Sequence, residues 1–176
     1  MRTRIAILAS LLLASACSSP TPPEPVKPVE QPKPPVQTPP PAVKPAGHWL
    51  DWPLAAGDWV YRQDDRGSLA LFGATGQDAT VTLRCDRGRQ RIYLSIRGNV
   101  ASPTTLTMRS SSTTKQWAAA PTGGAPNYVA AEIMPRDPGL DAMLYSRGRI
   151  ALEVPALASI AIPNWAEMDR VVEDCR

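Results

Sequence analysis

With one histidine, one phenylalanine and three cysteines among 176 residues, the chain is short of the groups on which most enzymes and metal proteins depend. No two cysteines stand in a C-x-x-C spacing, and His48 has no second histidine with which to share a metal. A zinc site therefore lacks ligands, and neither a metal nor a cofactor is expected. A serine triad needs a histidine beside a serine and a carboxylate, but His48 precedes the first expected strand by ten residues. Asp58, Asp64, Asp65, Asp137, Asp141 and Glu153 are scattered acids with no Gly-rich phosphate loop among them, so a small hydrolase ranks third among the readings. The chain also lacks a basic excess where it matters. Its 19 basic and 16 acidic residues fall to 17 and 16 without Arg2 and Arg4, and to 14 and 14 without the three lysines and two glutamates of the proline-rich stretch described below. A neutral folded part argues against nucleic acid as a partner.

The amino terminus carries Arg2 and Arg4, an apolar run of nine residues from Ile5 to Leu13, and then Ala14, Ser15, Ala16 and Cys17. Nine residues fall well below the roughly 20 that a membrane-spanning helix needs, so residues 1–16 are read as a signal peptide. The pattern resembles a bacterial lipoprotein signal, with alanine at the third position before the cysteine and small residues at Ser15 and Ala16. The resemblance implies a lipid on Cys17 and cleavage before it, and Ser18 in the next position implies sorting to the outer membrane. An ordinary secretory peptide cut after Ala16 is the competing reading, because Ala14 and Ala16 also satisfy the small-x-small rule.

Twelve of the chain's 20 prolines lie between Ser18 and Ala46. Proline fixes φ and removes a backbone donor, so residues 17–46 are expected to be the lipidated cysteine followed by a semi-rigid polyproline II tether. At about 3.1 Å per residue such a tether reaches roughly 90 Å, enough to hold a domain clear of its membrane. Residues 47–176 then form one domain of ordinary size.

Short apolar alternations at spacings near ten residues mark that domain as all-β. Val81, Leu83 and Cys85 face one way and Thr80, Thr82 and Arg84 the other. After a turn over 86–90, Ile92, Leu94 and Ile96 face inward again, which predicts a hairpin. Further strands are expected over 58–63, 68–73 and 159–162 and around Leu106 with Met108, Val129 to Ile133, and Ile150 to Val154. Two short helices interrupt them. Asp137 as N-cap and Pro138 start the first, which Gly148 stops. Asn164 as cap with Glu167 three residues on starts the second, whose stripe is Trp165, Met168, Val171, Val172 and Cys175. The predicted architecture is an antiparallel β-sandwich or open barrel with a C-terminal helix.

Cys85 and Cys175 each sit on the inward face of their element and are expected to form a disulfide in an oxidising compartment, pinning the last helix to a strand. Two clusters are candidate binding residues. Trp49 and Trp52, with Trp59, can stack on sugar rings if exposed; core packing is expected for at least two of the three. Arg84, Arg87, Arg89 and Arg91, with Arg97, crowd the hairpin with only Asp86 beside them, which suits an acidic ligand unless they merely form a solvated face.

The run from Leu140 to Arg176, with Gly148, Val154, Ile162 and Pro163 in a "G…v…lp" pattern before an amphipathic end, resembles exported proteins of the invasion-associated locus B family. That resemblance implies a periplasmic or outer-membrane, non-enzymatic β-domain engaged in envelope interactions. The strand-turn-strand of residues 81–96 also looks like that of membrane-anchored lysozyme inhibitors, with Leu83 and Arg84 where those carry a tyrosine. The expected function is an outer-membrane lipoprotein, anchored by its lipid, with a non-catalytic β-domain facing the periplasm that binds an envelope protein or peptidoglycan or supports the envelope. The alternative is a periplasmic inhibitor of a hydrolase such as a lysozyme or protease.

Overall fold

A computed structural model describes residues 43–176; the expected signal peptide, Cys17 and most of the proline-rich stretch lie outside the described residues. The fold is all-β, an open antiparallel sheet of nine strands with two short helices. In chain order the elements are β1 (Asp58–Asp64), β2 (Gly67–Gly73), β3 (Val81–Asp86), β4 (Arg91–Arg97), β5 (Thr104–Arg109), β6 (Thr114–Pro121), β7 (Tyr128–Ile133), α1 (Pro138–Leu144), β8 (Ile150–Glu153), β9 (Ile160–Ile162) and α2 (Ala166–Glu173). Their order across the sheet is β1-β2-β3-β4-β7-β6-β5-β8-β9. The first four strands form a meander, and the chain then passes over two positions to start β5, so that β6 and β7 fill the gap back to β4.

Period-two alternation decides which face is buried. Val81, Leu83 and Cys85 on β3, Ile92, Leu94 and Ile96 on β4, Leu106 and Met108 on β5, and Val129, Ala131 and Ile133 on β7 all enter one core, as the sequence pattern predicts. α2 closes this core by laying Met168, Val171 and Val172 over β1, β2 and β3. Each such side chain contributes roughly 1.5–3 kcal/mol when removed from water. The Cys85–Cys175 disulfide fixes the end of the same helix to β3, with the two Cα atoms 5.4 Å apart. Trp59 ties the two edges of the sheet together: it packs on Phe72 and donates from Nε1 to the Pro163 carbonyl at 2.8 Å. Just ahead of β1, Leu54 bridges Ala161 of β9 in parallel.

Two local expectations need correction. Strand β6 is an additional strand that the apolar alternation does not predict, because in Trp117-Ala-Ala-Ala-Pro121 only Trp117 and the small Ala119 point inward. Asn164 does not cap α2: the cap position is Trp165 and makes no side-chain hydrogen bond. The Asn164 amide instead donates to the carbonyls of Leu144 and Ser146, at 2.8 and 2.6 Å, tying the end of α1 to the start of α2. Asp137 does cap α1, accepting from the Gly139 amide at 2.7 Å, and the helix ends at Leu144, before the positive-φ Gly148. Gly67 is required where it stands: its φ is +145° and a Cβ there would collide with the Cys85 carbonyl.

The disulfide closes a loop with a sequence separation of 90, for which the chain-entropy relation gives about 4–5 kcal/mol. The double substitution Cys85→Ala and Cys175→Ala is expected to lower urea-unfolding stability by about 4 kcal/mol while leaving the far-ultraviolet dichroism of the folded state unchanged. A loss below about 1 kcal/mol would show that α2 is held by apolar packing alone.

Candidate functional site

Strand register brings together residues that are far apart in sequence. Leu69, Arg84, Tyr93 and Glu132 lie in one row across the outer face of β2, β3, β4 and β7. The next row is Thr82, Ser95, Ala130 and Ala120, which reaches β6. Small side chains on β4, β7 and β6 therefore leave a trough on the side of the sheet away from the core. The open groove has a volume of about 700 Å³, floored by Ser95, Ala118, Ala120 and Ala130. Pro103 and Pro121 flank one end, and Arg66, Arg84 and Arg89 the other.

The hairpin arginines are less free than their sequence suggests. Arg84 holds Asp64 of β1 through both terminal nitrogens, at 3.0 and 2.6 Å. That bidentate pair, aided by the backbone amides of Arg66 and Gly67, holds the Asp64 carboxyl down at about 2, against an ordinary value of 3.8. Arg91 donates to Glu132 of β7 at 2.9 Å, and the Tyr93 hydroxyl donates to the other oxygen of the same carboxylate at 3.3 Å. Asp86, the sole acid on the hairpin itself, accepts from Arg66 at 2.7 Å and from the backbone amide of Arg89 at 3.1 Å, which lowers its pKa. Arg89 and Arg87 have no carboxylate within ion-pair distance among the described residues. Both are exposed. The pKa of Arg89 is raised, first by the neighbouring Tyr93 hydroxyl and then by the charges of Asp86 and Glu132, and the residue lies at the edge of the groove.

Of the other candidates, Trp52 is 1% exposed and packs on Ala151 and Ala161, beneath the segment that precedes β1. Trp59 is buried and Trp49 half-buried. Burial of two of the three tryptophans was expected, and it removes Trp52 from the surface as a stacking platform. The segment over Trp52 is clamped from both sides. Arg149 donates to the carbonyls of Leu50 and Trp52 at 2.8 and 2.9 Å, and Lys44 binds Glu153 at 2.8 Å while lying 5.6 Å from the Trp52 ring centre. Burial pushes the Glu153 carboxyl up, but Lys44 and Arg109 outweigh it and the pKa is lowered.

Among the remaining candidates, His48, Asp137 and Asp141 have local partners, whereas Asp58 and Asp65 form no ion pair among the described residues. His48 accepts from the Leu50 amide and caps a short 3-10 turn. Asp137 faces Lys115 and Trp117, and Asp141 pairs with Arg176 at 2.6 Å. Among the described residues no three His, Cys, Asp or Glu side chains group as metal ligands, and no helix is long and apolar enough to cross a membrane.

Sequence reasoning placed Arg84, Arg87, Arg89 and Arg91 on one hairpin but missed Arg66, Tyr93, Glu132 and the alanine floor. Arg66 comes from the β1–β2 turn and Glu132 from β7, and the floor is visible only once β6 is known to pair with β7. No protein-family model, curated protein or solved structure matches the chain.

Because Asp64 is depressed in the fold, its contribution to stability is present above its ordinary pKa and is lost as pH falls through about 2. Acid titration of the carboxyl carbon by NMR is expected to give a midpoint near 2 in the wild type and one close to 3.8 after Arg84→Leu. An unmoved midpoint in the variant would mean that the amides, not the guanidinium, hold the charge.

Proposed function

We propose that the protein is a lipid-anchored binding module of the outer membrane. It carries a non-catalytic β-domain on a proline-rich spacer, with the groove across β3, β4, β7 and β6 as its binding surface for peptidoglycan or an envelope protein. Cys17, in its signal context, is the observation that carries the location. The tether after it supplies reach.

The groove supports the binding half of the reading. Its volume of about 700 Å³ falls within the usual range for ligand sites of about 300–1,000 Å³. Its floor is built on paired strands, so the shape of the floor is set before a ligand arrives. Arg89 at its rim is charged without a carboxylate to satisfy it among the described residues, the arrangement expected of a group kept for an outside anion.

Replacing Cys17 with serine is expected to abolish incorporation of labelled palmitate and to move the protein from the membrane fraction to the soluble periplasm. Membrane retention of the variant after a high-salt wash would overturn the anchor.

A further inference from the structure

The groove is polar and charged at one end and shallowly apolar along the rest, and this asymmetry selects among ligands. From β3 to β6 it crosses three strand spacings of about 4.8 Å, a span of roughly 14 Å. An extended peptide advances about 3.3 Å per residue, so about four residues fill that length. Ala118, Ala120 and Ala130 present only methyl groups to whatever lies on them, and Ser95 only a hydroxymethyl. Such a floor accepts a backbone with small side chains at close approach.

The charges set the direction of the ligand. Arg84 and Arg66 are occupied by Asp64 and Asp86, whereas Arg89, also in the groove lining, makes no ion pair among the described residues. One anionic group is therefore matched at the β3 end. Glu132 lies in the row beside Ala118 and Ala130, half exposed at 54% of its side chain. An aliphatic acyl chain laid over it would strip water from a carboxylate without replacing its hydrogen bonds. A peptide can offer amide N–H groups there instead, which disfavours a lipid tail as occupant.

We infer that the groove binds a short peptide of small residues by its free terminal carboxylate, placed on Arg89, with its chain running over the alanine floor toward Pro103 and Pro121. This rests on the groove being the binding surface. Given an envelope location, the source with this chemistry is the alanine-bearing peptide of peptidoglycan rather than the carboxyl terminus of a folded protein.

The test uses the full mature chain with Cys17→Ser, so that no lipid interferes, and follows heat on titration with N-acetyl-tetraalanine. The acid is expected to bind and its carboxamide to bind at least tenfold more weakly. Arg89→Leu should weaken the acid at least tenfold, and Ala120→Phe, at an exposed position that tolerates a larger side chain, should block the floor with the melting temperature unchanged. Soluble peptidoglycan fragments should compete with the peptide. Equal binding of acid and amide, or insensitivity to both variants, would overturn the assignment. Inorganic phosphate competing as well as the wall fragments would reduce the site to a simple anion contact and overturn it too. If Ala120→Phe prevents capture of envelope material from cells while acid and amide bind alike, the groove is the binding surface and only the ligand class is wrong.

Discussion

Every strand of the sheet turns its apolar side chains toward one core, and that core is closed by a helix covalently joined to the strand beneath it. Without α2, the inner faces of β1, β2 and β3 would lie open to water. The Cys85–Cys175 bond prevents this opening in a way that packing of an eight-residue helix does not, since so short a helix has little stability of its own. Trp59 completes the closure at the sheet edges, where its indole reaches Pro163 just before that helix begins. Burial on the inner face thus leaves the outer face free to carry small and charged residues.

On that outer face, charges are settled across strands rather than along them. Asp64 neutralises Arg84, Glu132 receives Arg91 and Tyr93, and Asp86 receives Arg66. Each pair keeps at least one partner in water, so it contributes little to stability. What they do is orient guanidinium groups. Arg84 and Arg66 are held against β1 and the hairpin turn, so the groove rim is built by fixed side chains and only Arg89 is left to meet an outside anion.

The alternation in β3 and β4 made the central hairpin legible, because β-branched and leucine side chains mark the inner face without ambiguity. The disulfide followed from two inward cysteines and the expectation of an oxidising compartment, and the α1 cap from Asp137 followed by proline. β6 was not legible, since three consecutive alanines carry no clear period and alanine has weak strand preference. The groove was hidden for the same reason: two of those alanines, Ala118 and Ala120, lie on its floor, and it exists only because β6 pairs with β7, β7 with β4, and β4 with β3. The hairpin looked unbalanced in charge because its neutralising acids lie on strands that local sequence does not reveal as neighbours. Asn164 had the residue type and spacing of a cap, but the nearby carbonyls of Leu144 and Ser146 compete for its amide.

A photo-crosslinking amino acid placed at Ala120, on the floor of the groove, and separately at Glu173, on the exposed side of α2, tests the use of this surface in intact cells. If the groove is the working surface, irradiation yields a discrete crosslink to peptidoglycan or an envelope protein from position 120 and none from position 173. Equal yields from both positions, or capture from 173 alone, would contradict it.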